Sequence, residues 1–134
     1  MTDIRPVTDR FAVAPQITTD DIATVAALGY TLVINNRPDG EAPGQPTAAE
    51  MAQAAADAGL DYVHIPVIGM ATPAQVEAIR AAIDDHDGKV LAYCRSGTRS
   101  ITAWSLGRAA AGDDRSDLVS LGAEAGYDLS GVLG

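Results

Sequence analysis

Short β-branched apolar runs alternate along the chain with longer Ala-rich stretches whose apolar positions recur at helical spacing, a pattern that predicts an α/β fold. Phe11–Ala14 reads as the first strand. Thr18 with Asp21 three residues on makes a capping box, so the segment to Leu28 reads as helix closed by Gly29. Thr31–Asn35 (TLVIN) is an apolar run of the buried-strand type. A polar, turn-rich loop, Asn36–Pro46, separates it from a second box, Thr47 with Glu50, whose helix runs to Ala58 and ends at Gly59. Tyr62–Val67 is the next strand. Thr72-Pro73-Ala74-Gln75 then opens a helix to about Asp85, with Pro at the first helical position. Lys89–Tyr93 (KVLAY) is a central strand that runs straight into Cys94. A helix from Ser100 to about Ala110 follows, and Asp114 or Ser116 caps a last one. The expectation is one domain over residues 1–134, with a mostly parallel sheet flanked by helices.

Composition narrows the classes. The chain has 134 residues, a hydrophobic share of 47% and a formal net charge of −9, with pI near 4.3. No apolar stretch approaches membrane-span length, and MTDIRPVTDR is charged where a signal peptide needs an apolar run, so a cytoplasmic chain with no membrane partner is expected. One cysteine forms no internal disulfide and suits a reducing compartment. Nine scattered basic residues against 18 acidic ones argue against a nucleic-acid partner. His64 and His86 have no second ligand at metal spacing, so no metal is expected, and the first strand is followed by no Gly-rich dinucleotide fingerprint. No cofactor is indicated.

The chemistry concentrates in Tyr93-Cys94-Arg95-Ser96-Gly97-Thr98-Arg99-Ser100. A buried strand delivers Cys94 to the carboxyl edge of the sheet, where ligands bind in open α/β folds. Gly97 permits the backbone angles of a sharp turn into a helix. Such a turn aims successive amides inward as an anion nest, backed by the helix N-terminus, and favours a thiolate at Cys94. Cys94 is the candidate nucleophile and Arg99 the guanidinium that closes the cradle. Arg95, Ser96, Gly97, Thr98 and Ser100 are candidate anion-binding positions. Arg37 follows the neighbouring strand and either binds a substrate anion or pairs with Glu41. A packed, inert thiol is the ordinary alternative for a lone cysteine, but the strand, glycine, arginine and helix together favour the functional reading. Trp104 and Leu106 read as packing residues.

The strand-Cys-loop-Arg-helix arrangement resembles the active-site loops of rhodaneses and of cysteine-dependent phosphatases. TTDDIATVAALGYTLVINNRPDGE, DYVHIPV and YCRSGTRS together resemble the phosphatase-like domain of beta-lactamase hydrolase-like proteins, from about Phe11 to Leu129. The resemblance implies a protein-tyrosine-phosphatase-like fold. It also implies an association with persulfide dioxygenase-type partners, and it leaves two reactions open, because members of the family bear both names. In phosphatases the position of Ser100 holds a hydroxyl that hydrogen-bonds the cysteine sulfur; a plain helix-start role is the alternative here.

Two features tilt the expectation toward sulfur transfer. Only four residues separate Cys94 from Arg99, where the phosphatase signature has five, and Arg95 directly after the cysteine resembles a rhodanese loop. The stretch Ile65-Pro66-Val67-Ile68-Gly69-Met70 also lacks the Asp with which phosphatases protonate the leaving oxygen, though Asp39 or Glu41 could substitute. The sequence therefore predicts a rhodanese-like sulfurtransferase taking sulfane sulfur from thiosulfate or a persulfide to a thiol or cyanide through a Cys94 persulfide. The alternatives are a cysteine-dependent phosphatase working through a phospho-intermediate and a non-catalytic oxyanion- or persulfide-binding module.

Overall fold

A computed structural model describes residues 3–133; Met1, Thr2 and Gly134 of the expected domain lie outside the described residues. A five-stranded sheet has the spatial order β1 (Arg5–Pro6), β2 (Phe11–Ala14), β5 (Lys89–Tyr93), β3 (Tyr30–Asn35), β4 (Asp61–His64). β2, β5, β3 and β4 run parallel, and only the edge strand β1 is antiparallel. The sequence expectation of an α/β domain with a mostly parallel sheet is what the structure shows.

Both faces of the sheet are covered, which is why the strands read as unbroken apolar runs. Side chains alternate across the pleat. Phe11, Val13, Val90, Ala92, Leu32 and Ile34 face one core, which α3 (Pro73–Asp84), α4 (Thr98–Ala110), α5 (Arg115–Glu124) and α6 (Ser130–Leu133) help to close. Ala12, Ala14, Leu91, Tyr93 and Val33 face the other, under α1 (Thr19–Ala27) and α2 (Ala48–Asp57). Trp104 stacks on Phe11 with ring centroids 5.2 Å apart, so it packs in the core as expected.

The three capping boxes, at Thr18/Asp21, Thr47/Glu50 and Thr72/Gln75, are all formed, and Asp114 caps α5. Two boundaries differ from expectation by two residues or more. β4 stops at His64 rather than Val67 because Pro66 has no N–H for the ladder, although Ile65 and Val67 still donate to the carbonyls of Asn35 and Asn36. α4 begins at Thr98, not Ser100, because left-handed Gly97 (φ +91°) turns the chain into the helix at once. β1 and α6, of two and four residues, are too short for a periodic signal.

Candidate active site

β5 lies between β2 and β3, so the residue after Tyr93 emerges at the middle of the sheet's carboxyl edge. Cys94 is fully buried there, and its Sγ accepts a hydrogen bond from the Gly97 amide at 3.1 Å. The turn is held from two sides. Gln16 N donates to the Arg95 carbonyl at 3.1 Å, and the Tyr127 hydroxyl donates to the Ser96 carbonyl at 2.8 Å. Ser96 Oγ lies 3.0 Å from Thr98 Oγ1. The first amides of α4 have no acceptor within the helix and sit directly behind the turn, where an anion is favoured.

β3 lies beside β5 and brings its own carboxyl-end residues to the same edge. Asn36 N donates to the Tyr93 carbonyl at 2.8 Å, while Asn36 Oδ1 accepts from Ser100 Oγ at 2.8 Å. Ser100 thus spends its hydroxyl on Asn36 instead of on the Cys94 sulfur. The phosphatase-type contact allowed for it in the sequence is not made.

The arginines meet on one carboxylate. Arg99 Nη1 and Nη2 donate to Glu41 Oε2 and Oε1 at 2.9 and 2.8 Å, and Nη1 also donates to the Val67 carbonyl at 2.8 Å. Arg37 Nε donates to the same Glu41 Oε1 at 2.9 Å, and its Nη1 reaches Gln16 Oε1 at 3.1 Å. The Arg37 side chain is only 5% exposed. Of the two readings open for Arg37, the ion pair with Glu41 is the one the structure contains. Its backbone is fixed as well: Arg37 N donates to Asn35 Oδ1, and His64 Nε2 donates to the Arg37 carbonyl. That hydrogen bond accounts for His64, as the contact of Nε2 with Thr31 Oγ1 accounts for His86.

Hydrogen bonds from Arg99, and then from Arg37, hold the Glu41 carboxyl down at about 2. Reciprocally, Glu41 raises the Arg99 guanidinium, and the facing Cys94 adds to that effect. The end-on grip by Glu41 engages both Nη atoms of Arg99, and Cys94 faces the same guanidinium. Arg95 is exposed at the mouth. A separate groove of about 560 Å³ between α3 and α4, lined by Ala71, Val76, Leu106 and Gly107 among others, does not include Cys94.

Glu41 as the brace of Arg99 was not foreseen, and neither were Gln16, Tyr127 and the Val67 carbonyl. The proximity of RPDGE to the catalytic edge was the one available signal for Glu41, since β3 could be expected beside β5. Nothing local in the sequence joins residues 41 and 99.

A central parallel strand that delivers a single buried cysteine into the turn before a helix, within this strand order, gives the chain a protein-tyrosine-phosphatase-like α/β fold. The chain belongs to the family described as the beta-lactamase hydrolase-like protein, phosphatase-like domain, whose pattern matches residues 3–111. It is 39% identical over 125 residues to a beta-lactamase hydrolase-like protein of Agrobacterium fabrum, covering 92% of this chain and 29% of that protein. The chain thus spans under a third of the length of the curated relatives it matches. A candidate phosphatase from Neisseria meningitidis superimposes with a TM-score of 0.88 at 32% identity, over 99% of this chain and 95% of that one. Tk-PTP, crystallised in its active form, shares the fold at 20% identity with a TM-score of 0.75, over 98% and 90% of the two chains.

These likenesses overturn the sulfurtransferase expectation: family and fold neighbours are phosphatase-like, in agreement with the alternative reading. The four residues between Cys94 and Arg99 are not the whole donor set: α4 already starts at Thr98, so the Arg99 and Ser100 amides of its first turn lie beyond that spacing, while the Thr98 amide donates to Ser96 Oγ at 3.4 Å. Arg99 itself is fixed from outside the loop by Glu41 and the Val67 carbonyl. No helix among the described residues is long and apolar enough to cross a membrane.

Proposed function

We propose that this domain hydrolyses phosphomonoesters through a covalent phosphocysteine at Cys94. The observation that carries the reading is a buried cysteine whose sulfur already accepts the Gly97 amide, followed in the first turn of α4 by Arg99, which Glu41 grips end-on. The phosphoryl oxygens lie against the loop amides and the Arg99 guanidinium, with Arg95 adding positive charge at the mouth. Cys94 Sγ attacks phosphorus, the ester oxygen departs, and water then cleaves the S–P bond to restore the thiolate. Glu41 holds Arg99 in one geometry, so the donors are set before substrate arrives. Membership of a phosphatase-like family supports the choice of phosphorus over sulfur.

The test is phosphate release from p-nitrophenyl phosphate with and without orthovanadate, alongside Cys94→Ser. Wild type should turn over and lose activity to vanadate, and the variant should stay folded and inactive. Failure of the fully reduced wild-type protein to release phosphate, with no phosphocysteine seen by intact mass after acid quench, would overturn the reading.

A further inference from the structure

We infer that this site expels its leaving group without protonating it, and therefore acts on phosphate esters whose leaving group is a stable anion, aryl phosphates above all, and not on alkyl phosphates. The inference rests on the phosphatase reading and concerns what that site selects.

Among the described residues, the groups around the site that could pass a proton to the leaving group are engaged in hydrogen bonds of their own. The loop that approaches Arg99 through the Val67 carbonyl continues as Ile68-Gly69-Met70, without a carboxylate. Asp39 Oδ1 accepts the Ala48 amide at 2.8 Å, at the start of α2. Glu41 is gripped by Arg37 and Arg99 and has no proton to give. His64 Nε2 donates its proton to the Arg37 carbonyl, and the Tyr127 hydroxyl donates to the Ser96 carbonyl. Arg95 and Arg99 stay protonated throughout and stabilise negative charge on the departing oxygen without neutralising it.

The residues present in place of an acid fit the same class. Ile68 is 82% exposed and Met70 60% exposed, two of the three large apolar side chains that stand out into solvent among the described residues. Ile68 adjoins Val67, whose carbonyl touches Arg99, so both exposed apolar side chains stand on the loop that reaches Arg99. An aromatic ring on a bound phosphate has apolar surface to cover on that loop; a hydrated alkyl alcohol gains little from it.

The balance of the steps is as follows. Cys94 thiolate forms the S–P bond while the P–O(aryl) bond breaks, and the electron pair leaves on the phenolate, which takes a proton from solvent. Water then attacks the phosphocysteine dianion. The products are Cys94 thiolate and monobasic phosphate, which retains both protons of the water. The second step needs no acid, because its leaving group is a thiolate.

The experiment compares kcat/KM across substituted phenyl phosphates and an alkyl phosphate such as glycerol phosphate. Reporting only the first step, kcat/KM excludes breakdown of the intermediate. An unprotonated leaving group makes the rate follow phenol acidity steeply, by about a thousandfold between p-nitrophenol (about 7) and phenol (about 10). Glycerol phosphate should then be inert. Ile68→Asp and Met70→Asp, which put a carboxyl into the loop, provide the complementary measurement: flattening of the dependence in either supports the inference. A wild-type dependence within about tenfold over the same phenols, or turnover of glycerol phosphate, overturns it while leaving the phosphatase reading standing. No phosphocysteine from any ester overturns both.

Discussion

Glu41 is the residue on which the site's electrostatics turn, because its Oε1 serves two guanidinium groups at once. Removing its charge releases Arg99 from its end-on grip and leaves Arg37 with Gln16 alone. Glu41→Gln should lower kcat/KM for p-nitrophenyl phosphate by about tenfold to a hundredfold, with vanadate inhibition weakened in parallel, since both depend on one oriented fork. Unchanged kinetics would mean that the Val67 carbonyl alone positions Arg99. The same ion cluster has a pH signature. Arg99 and then Arg37 hold the Glu41 carboxyl at about 2 against an ordinary 4.5, so the folded state favours the ionised form. Its stabilisation is complete above about pH 4.5 and is lost as pH falls through about 2. The melting-temperature gap between wild type and Glu41→Gln should be flat from about pH 8 to about pH 5 and close below about pH 4.5. A gap that closes near neutrality would assign the effect to another group.

The strand-turn-helix unit from β5 to α4 depends on Gly97. Its φ is +91°, and a Cβ built there lies 2.2 Å from the Tyr127 hydroxyl and 3.4 Å from the Ala14 backbone. Tyr127 cannot simply step aside, because its hydroxyl holds the Ser96 carbonyl. Gly97→Ala should cost about 1–3 kcal/mol in urea unfolding and most of the activity, since the turn that aims the Gly97 amide at Cys94 is strained. Tyr127→Phe in that background removes the nearest atom but not the backbone strain, and should recover only part of the loss. Full recovery would show that the clash alone was at fault. The same unit marks how far sequence reading reached. Gly97 as the turn, Cys94 at the edge and the three capping boxes follow from local rules that act within four or five residues, and all are present. The start of β3 at Tyr30 and the end of β4 at His64 came within a few residues. The Arg99–Glu41 and Ser100–Asn36 contacts join residues 58 and 64 apart, and only the β5–β3 adjacency creates them. The sulfur-transfer expectation rests on spacing inside one loop and on the acid missing after Val67, both of them local features, while the brace of Arg99 comes from another loop and the family is phosphatase-like.

Over the whole molecule, a small cationic cradle sits in a strongly acidic body. The formal charge is −9, yet the site gathers Arg37, Arg95 and Arg99 against Glu41 and Cys94. A phosphate dianion approaching from a distance meets the net field first and the cradle last. At about 10 mM salt that field extends some 30 Å, and at about 150 mM only about 8 Å. The contacts made by Arg99 and Arg37 act over a few ångströms and are partly buried, so salt hardly screens them. Raising ionic strength over this range should therefore increase kcat/KM for p-nitrophenyl phosphate by about two- to threefold, the reverse of an enzyme that steers its anion by surface charge. Arg95 is exposed and is the cation of the cradle that salt can reach. Arg95→Gln should lower kcat/KM at low salt and steepen the rise, because the unscreened repulsion then has less to oppose it. A rate that falls with salt in the wild type, and becomes flat in Arg95→Gln, would mean that the local cluster reaches beyond the acidic surface and draws substrate in.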